Sequence, residues 1–178
     1  MIKWKCIFQP EVAYLFNVGD KVVYPMHGAG IIEAIEEREI LGEKKKYYIM
    51  RIPIGDMKVM IPMSNVQVIG IREVVDEEAI DEVIGILKNH QTSMSTNWNR
   101  RYRANLDKIK SGDIYEVADV VRNLMLRDHE KGLSTGERKM LDNAKQILIS
   151  ELVLAKELKQ EDAFALLENI ISEKNASF

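Results

Sequence analysis

Two hydrophobic periods divide the chain. From Asn17 to about residue 70, apolar residues come in short runs and loose alternation punctuated by Gly and Pro. This is the pattern of short strands joined by tight turns. Lys21-Val22-Val23-Tyr24 is a β-branched run closed by Pro25, and His27-Gly28-Ala29-Gly30 supplies turn residues. Ile31 to Ile40 alternates loosely, Leu41-Gly42-Glu43 is a candidate hairpin turn, and Lys46 to Ile52 is a strand ended by Pro53. Lys58-Val59-Met60-Ile61 alternates before Pro62, and Val66 to Ile69 is read as a last short strand. About five short strands over about 54 residues predict a small barrel of the SH3 or Tudor type.

Near Asp76 the period changes to that of helices. Asp76 is a plausible N-cap for a helix carrying Ile80, Val83, Ile84 and Leu87 on one face. Gln91 to Asn97 is a polar linker. Asn97 caps a helix running to Lys110, stopped by Ser111-Gly112. Asp113 opens the next, with Val117, Val120, Val121, Leu124 and Met125 on its apolar side and Gly132 as terminator. Ser134-Thr135-Gly136-Glu137 reads as a capping box. Its helix carries Met140, Leu141, Ala144, Ile147, Leu148, Leu152 and Leu154. A final helix spans about Gln160 to Ser172. The fold class is α+β: a small N-terminal β-barrel over 17–72, followed by a bundle of about five helices over 76–173. Residues 1–16, broken by Pro10, form an extension, either weakly packed or disordered; Leu15 stands where an alternative bacterial start would fall.

Composition narrows the classes. At 178 residues with 46% hydrophobic content, one ordinary domain or two small ones can each bury a core. The net charge of −3 points to no partner, but its distribution is uneven. Trp98 to Lys139 holds ten Lys/Arg against seven Asp/Glu, and Met140 to Phe178 holds four against seven. Cys6 is the single cysteine, so no disulfide framework or cysteine zinc site can form within the chain, which suits a reducing cytoplasm. No run approaches the length of a transmembrane helix, and the N-terminus does not read as a signal peptide.

Catalytic chemistry has little to stand on. His27 lies in a turn with no second histidine or cysteine spaced to complete a metal site. Gly28-Ala29-Gly30 lacks the later glycine, the Lys-Ser/Thr pair and the following helix of a phosphate loop. His90 and His129 sit among charged residues and read as surface. Glu36-Glu37 and Glu77-Glu78 are sequential pairs whose side chains diverge, whereas an acid/base pair must converge. Ser93, Ser95 and Thr96 belong to no nucleophile motif. Neither an enzyme nor a cofactor is expected.

The chemistry concentrates in Thr96-Asn97-Trp98-Asn99-Arg100-Arg101-Tyr102-Arg103. Cations neutralise phosphates, and flat aromatic rings stack on or wedge between bases. At 100° per residue, Trp98, Tyr102, Asn105, Leu106 and Ile109 fall near one face. Trp98 thus either opens an ordinary core stripe or protrudes from the helix start, and spacing alone leaves both open. Arg100 and Arg103 project from the opposite side, and Arg101 lies to one flank. They form either a phosphate-binding cluster or a solvated face with ion pairs to Asp107.

Four segments together resemble the CarD family of bacterial transcription regulators: Val18 to Gly30, Asn97 to Leu106, Ser111-Gly112-Asp113, and Gly132 to Leu141. The resemblance covers about Phe16 to Ile171. The first segment alone is also similar to the polymerase-binding module of transcription-repair coupling factors. The resemblance implies a Tudor-like domain that binds the β subunit of RNA polymerase and a helical domain that touches promoter DNA at the upstream edge of the melted bubble. It implies that Trp98 wedges into the minor groove there while Arg100 and Arg103 hold the backbone. It implies polymerase contact through Arg38. A second basic position of some relatives is Met60 here, a departure for which Arg51 or Lys58 can compensate. The expected function is a regulator that stabilises the open promoter complex. The competing classes are a protein adaptor in which Trp98 is core, and an operator-specific repressor that needs no polymerase.

Overall fold

The computed structural model describes residues 15–89 and 92–175. The expectations for the N-terminal extension, Cys6 and His90 lie outside the described residues, apart from Leu15 and Phe16.

Five strands form one antiparallel sheet: β1 (Lys21–Tyr24), β2 (Gly28–Ile40), β3 (Glu43–Ile52), β4 (Met57–Pro62) and β5 (Arg72–Glu73). The order β4-β3-β2-β1-β5 is a meander whose last strand returns to the first, the SH3/Tudor-like arrangement the alternation predicts. Leu41 and Gly42 close the β2–β3 hairpin with φ of 54° and 80°, the paired positive φ of a two-residue hairpin turn. The core of the sheet is Phe16, Val22, Ile32, Tyr48, Met50, Ile52, Ile61 and Val66. Phe16 meets Tyr48 edge-on, ring centroids 6.2 Å apart, and its N–H donates to the Tyr48 hydroxyl at 3.1 Å. It therefore belongs to this core, one residue before the expected domain start.

The run Val66–Ile69, read above as a strand, is the short helix α1. It follows a 3-10 turn over Met63–Asn65 and stops at Gly70, whose N–H donates back to the Val66 carbonyl at 3.1 Å. Val66 is buried, while Val68 is almost fully exposed. Burying one side chain of the run suits a turn; alternate burial, the requirement of a strand, never occurs.

Helices α2 (Glu77–Lys88), α3 (Trp98–Lys110), α4 (Ile114–Lys131), α5 (Thr135–Ala155) and α6 (Gln160–Asn175) make the bundle. Asp76, Asn97, Asp113 and Ser134 cap the first four, each accepting a backbone N–H of the first turn. Capping satisfies donors that the helix leaves orphaned, which is why these polar residues set the starts. The expected apolar faces of α2, α4 and α5 converge on one core: Ile80, Val83, Leu87, Val117, Val121, Leu124, Leu148 and Leu152 are all buried in it. Met26 and Ile54 of the sheet domain also pack on this core, so the two domains share apolar contact.

Candidate nucleic-acid interface

The candidate site begins where α3 begins. Asn97 caps the helix by accepting the Arg100 N–H at 3.1 Å. Trp98 is therefore the first helical residue, and the residue remains 43% exposed. The buried stripe of α3 runs through Arg101, Asn105 and Ile109. Carried back one further turn of four residues, that stripe reaches Asn97 rather than Trp98. The indole consequently sits on the flank of the buried face, and the core-stripe alternative does not hold.

Three contacts fix the indole. Its ring stacks on Tyr102, with centroids 5.1 Å apart and 26° between planes. Its Nε1–H donates to the Ser134 hydroxyl at 2.9 Å. The backbone of Gly136 passes close by: a Cβ there would lie 3.6 Å from Trp98 Cζ2 and 3.5 Å from Tyr102 Cε2. The first turn of α5 is thus a shelf for both rings.

Ser134 is fully used. Its Oγ accepts from the indole, accepts the Glu137 N–H at 3.3 Å, and donates to Glu137 Oε2 at 2.8 Å. A hydroxyl has one proton to give and two lone pairs, so nothing remains unspent. The Glu137 carboxylate also accepts the Ser134 N–H at 3.2 Å, completing the capping box, and receives Arg101 Nε–H on its other oxygen at 2.7 Å. Burial pushes the Glu137 carboxyl up, but the hydrogen bonds from Arg101 and Ser134 outweigh it and hold the group below its ordinary value.

The three arginines separate. Arg101 is 3% exposed, facing Glu137 at 2%. Its Nη1 donates to the carbonyls of Ser95 at 2.8 Å and Thr96 at 3.3 Å. Grouped by sequence with the DNA-facing cations, Arg101 is instead a buried ion-pair partner, because the i, i+4 stripe that carries Ile109 carries it too. Arg100 and Arg103 are exposed, and among the described residues neither guanidinium is engaged. The alternative of ion pairs with Asp107 is not realised.

The candidate polymerase-facing residues do not form one cluster. Arg38, near the tip of the β2–β3 hairpin, pairs with Glu36 of its own strand at 2.5 Å. Arg51 pairs with Asp56 at 2.8 Å and Glu33 at 3.5 Å, and Lys58 takes the other oxygen of Glu33 at 2.9 Å. Arg38 lies opposite Lys45 in the register, and Lys45 is six residues from Arg51 on β3, about 20 Å along the strand. Met60 is exposed on the edge strand β4, opposite Ile49.

Ser134 and Glu137 are legible as a capping box, yet their bonds to Trp98 and Arg101 have no sequence signal. Among the described residues, no cluster of three or more His, Cys, Asp or Glu can hold a metal ion. No helix there is long and apolar enough to cross a membrane.

Two family descriptions match this architecture: "CarD-like/TRCF RID domain" over residues 16–75 and "CarD, C-terminal domain" over residues 82–168. The Bacillus subtilis (strain 168) protein named "Putative transcription factor YdeB" is 48% identical over 147 residues, spanning 83% of this chain and 96% of that protein. The solution structure of the 72-residue N-terminal domain of Myxococcus xanthus CarD is 38% identical over 33% of this chain and 77% of that one, with a TM-score of 0.29. A strand domain joined to a helical domain, each matched by its own family description, defines a two-module transcription factor. The chain belongs to the CarD family.

Proposed function

We propose that this protein docks on the β subunit of bacterial RNA polymerase through its sheet domain and stabilises the open promoter complex with Trp98. The observation that carries the reading is the state of Trp98: half-exposed, yet held by a stacked ring and a hydrogen bond at a helix start flanked by exposed Arg100 and Arg103.

The physical logic is differential binding. Unstacking an intact base step costs about a few kcal/mol, whereas the edge of a melted bubble is already unstacked. An aromatic side chain placed there favours the open state by that difference and shifts the equilibrium toward it. About 1.4 kcal/mol gives a tenfold change. A held indole has less rotamer entropy to lose on contact. Arg100 and Arg103 neutralise phosphates and position the helix start; they read no sequence.

The net charge of −3 is compatible with this role. Polymerase docking makes the DNA contact effectively intramolecular, so a weak contact suffices. Arg38 is the proposed docking residue, with Arg51, Lys58 and the exposed Met60 as further contacts. The test is an upstream-edge DNA footprint on polymerase–promoter complexes. Arg38→Glu removes the footprint together with polymerase binding. Trp98→Ala retains polymerase binding and alters only the bubble edge. A footprint on free promoter DNA of equal strength contradicts delivery by polymerase.

A further inference from the structure

The segment between the two domains is fixed residue by residue. The Val74 N–H donates to the Lys21 carbonyl in the sheet domain at 3.1 Å. The Val75 N–H donates to Glu151 Oε1 on α5 at 3.2 Å. Asp76 caps α2 by accepting the Ala79 N–H at 2.9 Å. Of these three, Glu151 is the only side chain brought from a distant part of the fold.

The same carboxylate holds the last strand of the sheet. Arg72 on β5 gives it two bonds, Nη1 to Oε1 at 2.6 Å and Nη2 to Oε2 at 2.9 Å. Arg72 also donates to the Gly112 carbonyl, at the α3–α4 turn, from Nε at 3.0 Å and Nη2 at 2.7 Å. Glu151 is 1% exposed. Two parallel bonds fix orientation as well as distance, which apolar contact does not.

The neighbouring contacts are equally directional. Ser150 Oγ accepts the Ala29 N–H at 2.7 Å and donates to the Ile147 carbonyl at 2.6 Å. A Cβ at Gly28 would come within 2.5 Å of that hydroxyl, and φ there is +107°, so only glycine permits this approach. Lys21 Nζ donates to the Leu154 carbonyl and to Glu157, each at 3.0 Å. Gly28 and Ala29, expected as turn residues but paired with β1 as the start of β2, are thus the seat of α5.

We propose that Glu151 and Arg72 form a positioning clamp that holds the helical domain at one angle to the sheet domain, so that a sheet domain docked on polymerase delivers Trp98 to the bubble edge. This rests on the function proposed above. The clamp touches neither polymerase nor DNA; it acts by keeping the Trp98 helix where the anchored domain aims it. A loosened clamp spreads Trp98 over many positions and lowers its effective concentration at the fork.

The test uses the full chain with Cys6→Ser and spin labels at exposed Gln67 and Asp142. Three variants are compared with the parent: Glu151→Gln, the double variant Arg72→Met with Glu151→Met, and the milder Lys21→Met. The double variant leaves no buried charge unpaired, although it orphans the Val75 N–H and the Gly112 carbonyl, so it is less destabilised than a variant that removes one partner alone. Interdomain distance distributions, polymerase affinity and open-complex lifetime are measured on each. We expect one narrow distance in the parent and broadened distances in the variants. Polymerase affinity stays unchanged, and the lifetime gain falls about tenfold for the double variant. Lys21→Met gives a smaller change in the same direction and decides the matter if neither clamp variant folds. A stable variant with a broadened distance and the full lifetime gain overturns the proposal, as does a distance that stays narrow. Trp98→Ala, run alongside, separates the two ideas. If it leaves the lifetime unchanged, the proposed function fails; if it shortens the lifetime and the clamp variants do not, only the clamp fails.

Discussion

The indole of Trp98 donates to the hydroxyl of Ser134 at 2.9 Å, tying the first residue of one helix to the N-cap of another. The tie closes a ring. Ser134 donates to Glu137, and Glu137 accepts from Arg101, one turn along the same helix as Trp98. The orientation of the proposed wedge is thus set by the capping box of α5.

Ser134→Ala removes both the cap and the indole acceptor. Loss of a serine cap costs about 1 kcal/mol, which lowers Tm by about 2–4 °C in a chain of this size. The indole gains freedom, seen as faster fluorescence anisotropy decay in a Trp4→Phe background. Ser134→Thr, which keeps the hydroxyl, restores the slow decay. An unchanged decay in Ser134→Ala shows that the stack on Tyr102 suffices alone.

Arg101→Met removes the nearer of two cations from the buried Glu137 carboxylate, leaving Arg127 at 3.9 Å, and destabilises the chain by about 3 kcal/mol, the low end for a broken buried pair. Arg100→Met, at an exposed and unengaged position, changes stability by no more than about 0.5 kcal/mol. Denaturant unfolding measures both. Equal costs would show that the two arginines share one environment, contrary to the burial of Arg101.

Acid weakens the site in a defined direction. The hydrogen bonds from Arg101 and Ser134 overcome burial and hold the Glu137 carboxyl below its ordinary value of 4.5. A group depressed on folding contributes stability that is complete above its unfolded pKa and is lost as pH falls through its folded pKa. Asp119 acts in the same sense: burial raises it, while Lys108 and Arg122 lower it further, to below 3.8. Melting temperatures of the parent and Glu137→Gln are therefore expected to converge as the pH drops below the carboxylate range. A constant offset down to strongly acid pH contradicts the assignment.

Arg100→Glu with Arg103→Glu weakens DNA contact within the polymerase complex without lowering Tm. If each arginine neutralises one phosphate, the slope of log affinity against log salt falls by about two. The slope is read from a salt titration of open-complex stability. An unchanged slope means that neither guanidinium meets a phosphate.

Much of this arrangement is legible in the sequence because it rests on short-range rules. Asp76, Asn97, Asp113 and Ser134 announce helix starts through local hydrogen bonds, and all four caps form. Apolar periodicity places Val117, Val121, Leu124 and Leu148 in the core. Val66–Ile69 misleads because a β-branched run has strand propensity, while the turn that precedes it and Gly70 after it bend the chain into a helical turn. Arg101 misleads for a different reason. Three nearby arginines look alike in sequence, and only Glu137, 36 residues away, separates one from the others. The Arg72–Glu151 pair, 79 residues apart, has no local signature at all.

The most direct measurement is the lifetime of the open promoter complex formed by purified polymerase, timed after addition of a competitor. Addition of the protein is expected to lengthen that lifetime. Trp98→Ala, while still binding polymerase, should lose most of the gain, about tenfold if the wedge contributes 1.4 kcal/mol. A Trp98→Ala lifetime equal to that of the parent protein contradicts the wedge.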